Sequence, residues 1–200
     1  MKLKKKSMKL ILASKSEVRK KILDQNKINC KVVHSNVDED QVKESLLAEG
    51  ADPLSVSKNL AEIKSIKVSN KYSNEIVLGA DSVVSLENKL INKPKSRDEA
   101  LQILKKLNNS IHYLISSVCI SKNGAMIWNH SETSELKMKK LTDNEIQKYL
   151  NKIKTKTLLA YGVYQVEADG LNLFDSIKGD IDSIMGLPIK KIKEYLNTLE

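Results

Sequence analysis

The dipeptide Asn123-Gly124 constrains the fold of this chain more than any other feature of its sequence. It separates two long segments, residues 111–121 and 125–138, whose composition is typical of strands. Asn-Gly at such a junction favours a tight hairpin, because both residues readily adopt the positive φ angles of a type I′ turn. Long antiparallel neighbours argue against a purely parallel, doubly wound sheet.

Short apolar runs elsewhere alternate with helix signals, which makes the chain α/β. Residues 8–13 and 76–78 predict buried strands, and residues 36–40 predict an acidic turn. Helix starts are indicated by capping residues or prolines at five places: Ser16, Pro53, Ser96, Thr142 and Pro188. No repeat or linker divides the sequence, so we expect one domain over residues 8–200.

The positive charge of the chain is concentrated at its start. Residues 1–33 hold eleven basic and two acidic residues, so the whole net charge of +9 lies there. This asymmetry indicates an anionic ligand near the N-terminus. A solvated lysine-rich tail would give the same pattern, and we expect residues 1–7 to be such a disordered tail.

The composition also indicates the cellular compartment in which the protein is expected. No apolar run approaches the roughly 18 residues that a membrane span needs, and the start lacks the apolar stretch of a signal peptide. Cys30 and Cys119 lie far apart, outside any metal-like spacing, which predicts free thiols in a reducing cytoplasm. We therefore expect a cytoplasmic protein without a membrane partner.

The first candidate site follows the first strand, where Ser14, Ser16 and Arg19 open a helix. The free N–H groups and positive dipole of a helix N-terminus bind anions. Serine hydroxyls add donors, and an arginine one turn into the helix can hold phosphate oxygens with two parallel hydrogen bonds. The alternative is an ordinary capped helix with a solvated basic face.

Carboxylates and further cations stand at other points of the sequence. Asp81 follows two small residues at the expected end of an apolar strand, a common place for a catalytic or metal-binding carboxylate. Lys93 lies beside a proline that extends the backbone, while Glu39 and Lys64 are weak signals when taken alone. Together, cations and a carboxylate pair are what metal-assisted attack of water on a phosphoanhydride requires.

These motifs, in this order, resemble those of the Maf family of nucleoside triphosphate pyrophosphatases. The resemblance runs from about residue 8 to residue 199 and rests on several motifs: Leu12-Ala13-Ser14-Lys15-Ser16, Asn36-Val37-Asp38-Glu39, Gly79-Ala80-Asp81-Ser82, Lys93-Pro94-Lys95, Thr142-Asp143-Asn144-Glu145, Tyr164-Gln165-Val166-Glu167 and Gly186-Leu187-Pro188. It implies a curved mixed sheet with flanking helices that form two lobes around a cleft, as in inosine triphosphatase.

The resemblance also implies an activity and roles for residues. The reaction would be that of a nucleotide diphosphatase, which hydrolyses a nucleoside triphosphate to the monophosphate and pyrophosphate with Mg²⁺ or Mn²⁺. Asp81 would be the general base or a metal-linked carboxylate, and Glu39 would assist at the metal. The phosphates would be held by five residues: Ser14, Ser16, Arg19, Lys64 and Lys93.

The base preference stays open because the chain departs from both family subgroups. Glu17 replaces the usual proline, and Val18 stands where the dTTP/UTP-cleaving subgroup has arginine and the 7-methyl-GTP subgroup has tryptophan. Glu167 matches the 7-methyl-GTP subgroup, and a carboxylate can accept from the N1–H and amine of a guanine-type base. We assign base selectivity to Val18, Ser82 and Glu167.

A second function remains as an alternative. The basic start and the family's link to septum formation would fit a nucleotide- or nucleic-acid-binding regulator of cell division with little turnover. Nucleic acid is not an expected partner, because no run interleaves basic and aromatic residues for stacking. The family also leads us to expect association as a homodimer.

Overall fold

The computed structural model describes residues 10–164, 166 and 169–199. These residues form a single seven-stranded sheet with flanking helices. The expected tail at residues 1–7 and Glu167 lie outside the described residues.

The described residues contain seven strands, eight helices and a short 3-10 turn (Asp169–Leu173). The strands are β1 (Leu10–Leu12), β2 (Cys30–Val32), β3 (Ile76–Leu86), β4 (Lys89–Ile91), β5 (Ile111–Lys122), β6 (Ala125–Met138) and β7 (Phe174–Lys178). The helices are α1 (Glu17–Gln25), α2 (Glu39–Ala48), α3 (Pro53–Ser69), α4 (Arg97–Leu107), α5 (Asp143–Lys152), α6 (Thr155–Tyr161), α7 (Ile181–Ile184) and α8 (Ile189–Asn197). Within these ranges no helix combines the length and apolar character that crossing a membrane requires.

The sheet is mixed, as the sequence predicts. Its strand order is β2-β1-β3-β5-β6-β7, with β4 paired to the far end of β3. β1 runs parallel to β2 and β3, whereas β3, β5, β6 and β7 pair antiparallel. Asn123 and Gly124 have φ angles of 52° and 77°, which confirms the tight turn between β5 and β6.

The two largest of the four buried apolar clusters lie in different lobes of the molecule. In the first lobe, β1, α1 and α8 pack on the N-terminal half of β3, around Leu12, Ile22 and Leu78. In the second lobe, α4, α5 and α6 pack against β5 and β6, around Leu104 and Leu150. Because β3 and β5 run through both lobes, the boundary between the lobes falls along these two strands.

The predicted helix starts are confirmed at their caps, and one predicted turn is wrong. Ser16 and Ser96 accept hydrogen bonds from the N–H groups of Arg19 and Glu99. Thr142 forms a capping box. The acidic segment 36–40 is not merely a turn, because Asp38 accepts from the N–H of Gln41 at 3.1 Å and starts α2.

Candidate functional site

A cavity of about 470 Å³ lies between the two lobes. One part of its lining is strongly charged, with five basic and two acidic residues: Lys15, Arg19, Lys43, Lys64, Lys93, Glu39 and Asp81. Another part is apolar and belongs to the second core: Leu107, Leu114, Val163, Tyr164, Val166 and Ile184. The excess of positive charge makes the cavity complementary to an anion with an apolar portion.

The centre of the charged part is a buried cation between two carboxylates. The Nζ atom of Lys64 donates to Asp81 Oδ1 at 2.8 Å and lies 2.9 Å from Glu39 Oε1. Asp81 and Lys64 are both only 4% exposed, so their attraction is weakly screened. The second oxygen of Asp81, Oδ2, is buried and has no hydrogen-bond partner among the described residues. The structure thus brings together three residues that the sequence proposed separately.

The position of Asp81 differs from the sequence prediction. It lies in the middle of the eleven-residue strand β3 and not at the end of a strand. β3 continues beyond Asp81 because residues 82–85 pair with β5. The sequence around Asp81 does not show this pairing, since β5 begins 30 residues later, at Ile111. Asp81 is therefore held by a ladder on a central strand, which restricts its movement more than a turn would.

Helix α3 carries Lys64 to this strand. Its buried face includes Val56, Leu60, Lys64 and Val68. Hydroxyl groups on the same face let the helix approach the sheet closely, since Ser57 Oγ donates to the carbonyl oxygen of Asp81 at 3.3 Å. The inward lysine is the unexpected element, and its two carboxylate partners offset the cost of burying it.

Glu39 completes the ion pair from the first turn of α2. Its partial burial alone would raise the pKa of the carboxyl group, but the charges of Lys64, Lys93 and Lys43 outweigh this effect. The pKa of Glu39 is therefore lowered, and the carboxylate is ionised at neutral pH. An ionised Glu39 gives the Lys64 ammonium group a second negative partner beside Asp81.

Arg19 connects α1 to β3 and to the turn after α7. Its Nε donates to the carbonyl oxygen of Gly186 at 2.9 Å, and its Nη1 donates to the carbonyl oxygen of Ala80 at 3.0 Å and to Ser14 Oγ at 3.2 Å. Its Nη2 donates to Ser82 Oγ at 3.0 Å. These bonds use four of the five N–H groups of the guanidinium. Two parallel bonds to a phosphate, as the sequence suggested, are therefore not available, and Arg19 keeps one donor for a ligand.

Burial lowers the pKa of Arg19, although the charges of Asp81 and Glu39 oppose the shift. A guanidinium nevertheless stays protonated in proteins, so Arg19 remains a cation at the cavity. Gly186 matters to this arrangement because its φ angle is +99° and a Cβ there would lie 3.2 Å from Arg19 Nε. The bare backbone of Gly186 allows the guanidinium to approach its carbonyl group.

The other predicted residues also line the cavity. Ser14 Oγ accepts from Arg19 and from the N–H of Ser16, so its own proton is free to reach a ligand. Lys93 Nζ donates to the carbonyl oxygen of Ala160 at 2.9 Å, which leaves two of its protons. Desolvation at the cavity lowers the pKa of Lys93, with Glu39 opposing the shift.

Of the three residues to which the sequence assigned base selectivity, two line the cavity and the third lies outside the described residues. Val18 lines the cavity and packs on the first core. Ser82 also lines it, but its hydroxyl is already engaged by Arg19 and lies 2.9 Å from Ser116 Oγ. Glu167 lies outside the described residues.

The carboxylates fit a divalent cation that is shared with a substrate. The described ranges contain no group of three or more histidine, cysteine, aspartate or glutamate side chains arranged to hold a metal ion alone. Mg²⁺, however, is commonly bound by one or two carboxylates together with substrate phosphates and water. The unpartnered Oδ2 of Asp81, with Glu39 nearby across Lys64, provides such a donor set.

The sequence did not indicate His112, which contacts Tyr164 of the apolar cavity lining. It is fully buried in β5, and its Nε2 lies 3.0 Å from the hydroxyl oxygen of Tyr164. Desolvation lowers the pKa of His112 to about 4, and burial raises that of Tyr164, so both side chains are neutral near neutral pH. A histidine inside an apolar strand was the only signal in the sequence.

The buried histidine predicts a loss of stability in mild acid. The unfolded chain binds a proton at His112 below about pH 6.5, whereas the folded protein does so only near pH 4. Stability is therefore complete above the unfolded pKa and falls as the pH drops between the two values. We expect His112 to contribute about 2 kcal/mol to the decrease in free energy of unfolding between about pH 7 and about pH 5.

Urea unfolding at both pH values measures this contribution. The His112→Leu variant should show a decrease that is smaller by this amount, although it is less stable at every pH. His34→Gln is the matched control, because His34 is exposed, and it should keep the wild-type pH dependence. Equal pH dependence in wild type and His112→Leu would contradict the assignment.

Known proteins that are similar to this chain act on anionic substrates of the kind that the cavity suits. The family model described as Maf-like protein matches residues 9–199. A nucleoside triphosphate pyrophosphatase of Pelagibacter ubique (strain HTCC1062) is 59% identical over 191 residues, which cover 96% of this chain and 98% of the relative. A 7-methyl-GTP pyrophosphatase of Rhizobium meliloti (strain 1021) is 33% identical, covering 95% of this chain and 96% of that protein.

Among solved structures, a Ham1 protein from Coxiella burnetii is similar to part of the chain. It is 13% identical, with a TM-score of 0.43, and the match covers 67% of this chain and 74% of that chain.

Proposed function

The chain belongs to the Maf-like protein family, and on that premise we propose that it hydrolyses nucleoside triphosphates to the nucleoside monophosphate and pyrophosphate. The observation that carries the proposal is the buried Lys64, held between Asp81 and Glu39 in the wall of a cavity rich in basic residues. A carboxylate with one unpartnered oxygen, surrounded by cations, suits the attack of water on a polyphosphate.

The charged and the apolar parts of the cavity lining fit different parts of the substrate. The triphosphate fits the charged part, where Ser14, Lys93 and the remaining N–H of Arg19 are free to donate. The first N–H groups of α1 lie beside them and favour negative charge. The nucleoside fits the apolar part, where Leu114 and Tyr164 line the wall.

The chemistry assigned to the side chains is proton transfer and charge stabilisation. Asp81 accepts a proton from water as the water oxygen bonds to the α-phosphorus, and the bond from that phosphorus to the bridging oxygen breaks. The electron pair leaves with pyrophosphate. Lys93 neutralises charge that develops on the leaving phosphates, and Lys64 keeps the Asp81 carboxylate in place.

We further propose that a divalent cation, Mg²⁺ or Mn²⁺, assists the reaction. Asp81 Oδ2 and Glu39 would hold it together with the substrate phosphates. When bound, such an ion polarises phosphoryl oxygens and lowers the pKa of coordinated water. The ionised state of Glu39 supports this assignment, since only the carboxylate form binds a metal well.

Base selectivity is assigned to the residues at which the chain departs from the family subgroups. Val18 lines the cavity with an aliphatic surface, and Ser82 faces it from β3. Glu167 is proposed to accept hydrogen bonds from the base, a role suited to a guanine-type edge. The match to a relative named 7-methyl-GTP pyrophosphatase supports including modified guanine nucleotides among the substrates.

A reducing compartment suits this protein. Cys30 and Cys119 are both free thiols in the structure. Free cysteines are usual in proteins of the cytoplasm, where thiols are kept reduced. We propose the cytoplasm, which also supplies nucleoside triphosphates, as its location.

A nucleotide panel tests the proposal. The purified protein with Mg²⁺ or Mn²⁺ should convert at least one of dTTP, UTP, GTP and 7-methyl-GTP to equal amounts of monophosphate and pyrophosphate. Phosphorus NMR distinguishes these products from a diphosphate and inorganic phosphate. We expect kcat/KM on the best nucleotide to reach about 10⁴ M⁻¹s⁻¹, and a chelator to abolish turnover.

The pattern of products decides between functions. Release of inorganic phosphate alone would contradict cleavage between the α and β phosphates. Nucleotide binding without turnover on every member of the panel would favour the regulator instead. Unchanged turnover after chelation would contradict the role of the divalent cation.

A further inference from the structure

Part of the cavity wall is built from a segment without regular secondary structure. Helix α6 ends at Tyr161, and Gly162 follows with a φ angle of 99°. Val163 and Tyr164 come next and line the cavity, yet they belong to no helix or strand. Because such a wall belongs to no helix or strand, side-chain contacts contribute to fixing its position.

Tyr164 supplies such a contact from within the wall. Its hydroxyl oxygen lies 3.0 Å from Nε2 of His112. Its ring packs edge-on against Phe174, with ring centroids 5.0 Å apart, and lies 5.6 Å from the ring of His112. The two aromatic contacts fix the plane of the Tyr164 ring, and the hydrogen bond fixes its far end.

His112, the hydrogen-bond partner of Tyr164, lies on strand β5 of the sheet. His112 pairs with Leu136 of β6, and the next residue of β5, Tyr113, pairs with Ser85 of β3, so the backbone at His112 has little freedom to move. His112 also shares a face of β5 with Leu114, which lines the cavity, and with Ser116, whose hydroxyl meets that of Ser82. The same face of the sheet therefore carries both His112 and a residue of the cavity lining, Leu114.

The hydrogen bond joins two neutral side chains. Nδ1 of His112 is buried and has no hydrogen-bond partner among the residues described. The contact of Nε2 with the hydroxyl oxygen of Tyr164 is therefore what holds the imidazole to the wall, and either tautomer of the imidazole can form it.

We propose that His112 is a positioning residue, which holds Tyr164 and thereby the irregular wall segment in the place where the nucleoside part of the substrate binds. This inference rests on the proposed function, because it assigns the apolar part of the cavity to the nucleoside. The contact of Tyr164 with the cavity makes it a residue of the nucleoside subsite. His112 acts only through Tyr164 and contacts no substrate.

The experiment compares two ligands that share the triphosphate and differ in the nucleoside. Calorimetry measures binding of a non-hydrolysable α,β-methylene nucleoside triphosphate and of inorganic tripolyphosphate. Tyr164→Phe keeps the ring and removes the hydroxyl, while His112→Leu removes the imidazole that bonds to it. Each variant should weaken binding of the nucleotide analogue by about fivefold, the factor of one hydrogen bond, and leave tripolyphosphate binding unchanged.

Two further variants separate positioning from a general loss of structure. The double variant His112→Leu/Tyr164→Phe should lose no more affinity than either single variant, because the two groups act as one unit. His112→Gln should restore much of the affinity, since its amide can donate to the hydroxyl of Tyr164. His130→Gln is the matched control on β6, where His130 pairs with Glu132, and it should bind both ligands normally.

The outcomes distinguish this inference from the proposed function. Equal losses for both ligands, additive losses in the double variant, or wild-type binding in both single variants would overturn the positioning role. Failure of the wild-type protein to bind tripolyphosphate would contradict the division of the cavity on which the role rests. Nucleotide binding without pyrophosphate release would overturn the hydrolysis and leave the positioning role intact, whereas absence of nucleotide binding would overturn both.

Discussion

Replacing Asp81 by asparagine is expected to lower kcat by about a thousandfold on the best nucleotide. The amide has nearly the shape of the carboxylate but can neither accept a proton from water nor hold a divalent cation well. Both roles proposed for Asp81 depend on its negative charge, so the variant removes them together. Pyrophosphate release under single-turnover conditions measures the chemical step directly.

The fold should survive this substitution. The oxygen of the introduced amide can still accept from Lys64, and Glu39 remains to neutralise the ammonium group. The cost is that of one weakened buried ion pair and not of an unpaired buried charge. Urea unfolding of the variant should therefore remain cooperative, which separates loss of activity from loss of structure.

Asp52→Asn is the matched control. Asp52 caps helix α3 by accepting from the N–H of Ser55 at 2.7 Å, and it is exposed outside the cavity. Asparagine caps helices about as well as aspartate, so neither stability nor kcat should change much. A loss of less than about tenfold in Asp81→Asn would show that another group accepts the proton.

The sequence predicts those parts of the molecule that short-range chemistry determines. Ser16, Ser96 and Thr142 cap helices because each side chain meets an N–H group within three residues. The turn at residues 123–124 depends on the φ preferences of two adjacent residues. The mixed, two-lobed architecture follows from these local signals together with the family resemblance.

The sequence does not predict contacts that join distant parts of the chain. The sequence predicts that Arg19 is a free phosphate ligand. In the structure it donates to the carbonyl oxygens of Ala80 and Gly186, which lie 61 and 167 residues away. The pairing of His112 with Tyr164 spans 52 residues and left no local pattern. The chemistry of a side chain is visible in the sequence, whereas its partners emerge only from the packing of the sheet.

Lys64 illustrates why the site could be proposed but not built from the sequence. Apolar residues mark the inward face of an amphipathic helix, and a lysine would ordinarily lie on the opposite face, toward solvent. Lys64 faces inward because it forms ion pairs there with the carboxylates of Glu39 and Asp81. Helical periodicity alone cannot anticipate a buried charge whose partners come from β3 and α2.

Replacing Gly79 by alanine is expected to lower the free energy of unfolding by about 3 kcal/mol and kcat by about a hundredfold. A Cβ at Gly79 would lie 2.2 Å from the carbonyl oxygen of Ala61 and 2.7 Å from the backbone nitrogen of Ser65. Both contacts are to the backbone of α3, so no side chain can rotate to relieve them. The helix must therefore move away from β3.

The sign of this effect is informative because chain entropy favours the opposite result. Alanine restricts the unfolded chain and, at a compatible site, stabilises a protein by roughly 0.4–1 kcal/mol. Gly50→Ala is the matched control, since a Cβ there meets nothing within 4 Å and only its φ angle of +81° is unfavourable. We expect a cost of about 1–2 kcal/mol for Gly50→Ala, with kcat unchanged.

The loss of kcat in Gly79→Ala connects the packing of α3 to the chemistry. Ser65 Oγ donates to the carbonyl oxygen of Val77 at 2.9 Å, which shows how closely this helix lies on the strand. Lys64 is the adjacent residue, so any outward shift of the helix lengthens its 2.8 Å contact with Asp81. If Gly79→Ala lost stability but kept the wild-type kcat below its unfolding range, the Lys64–Asp81 contact would be structural only, and the close approach of α3 would serve the fold and not the reaction.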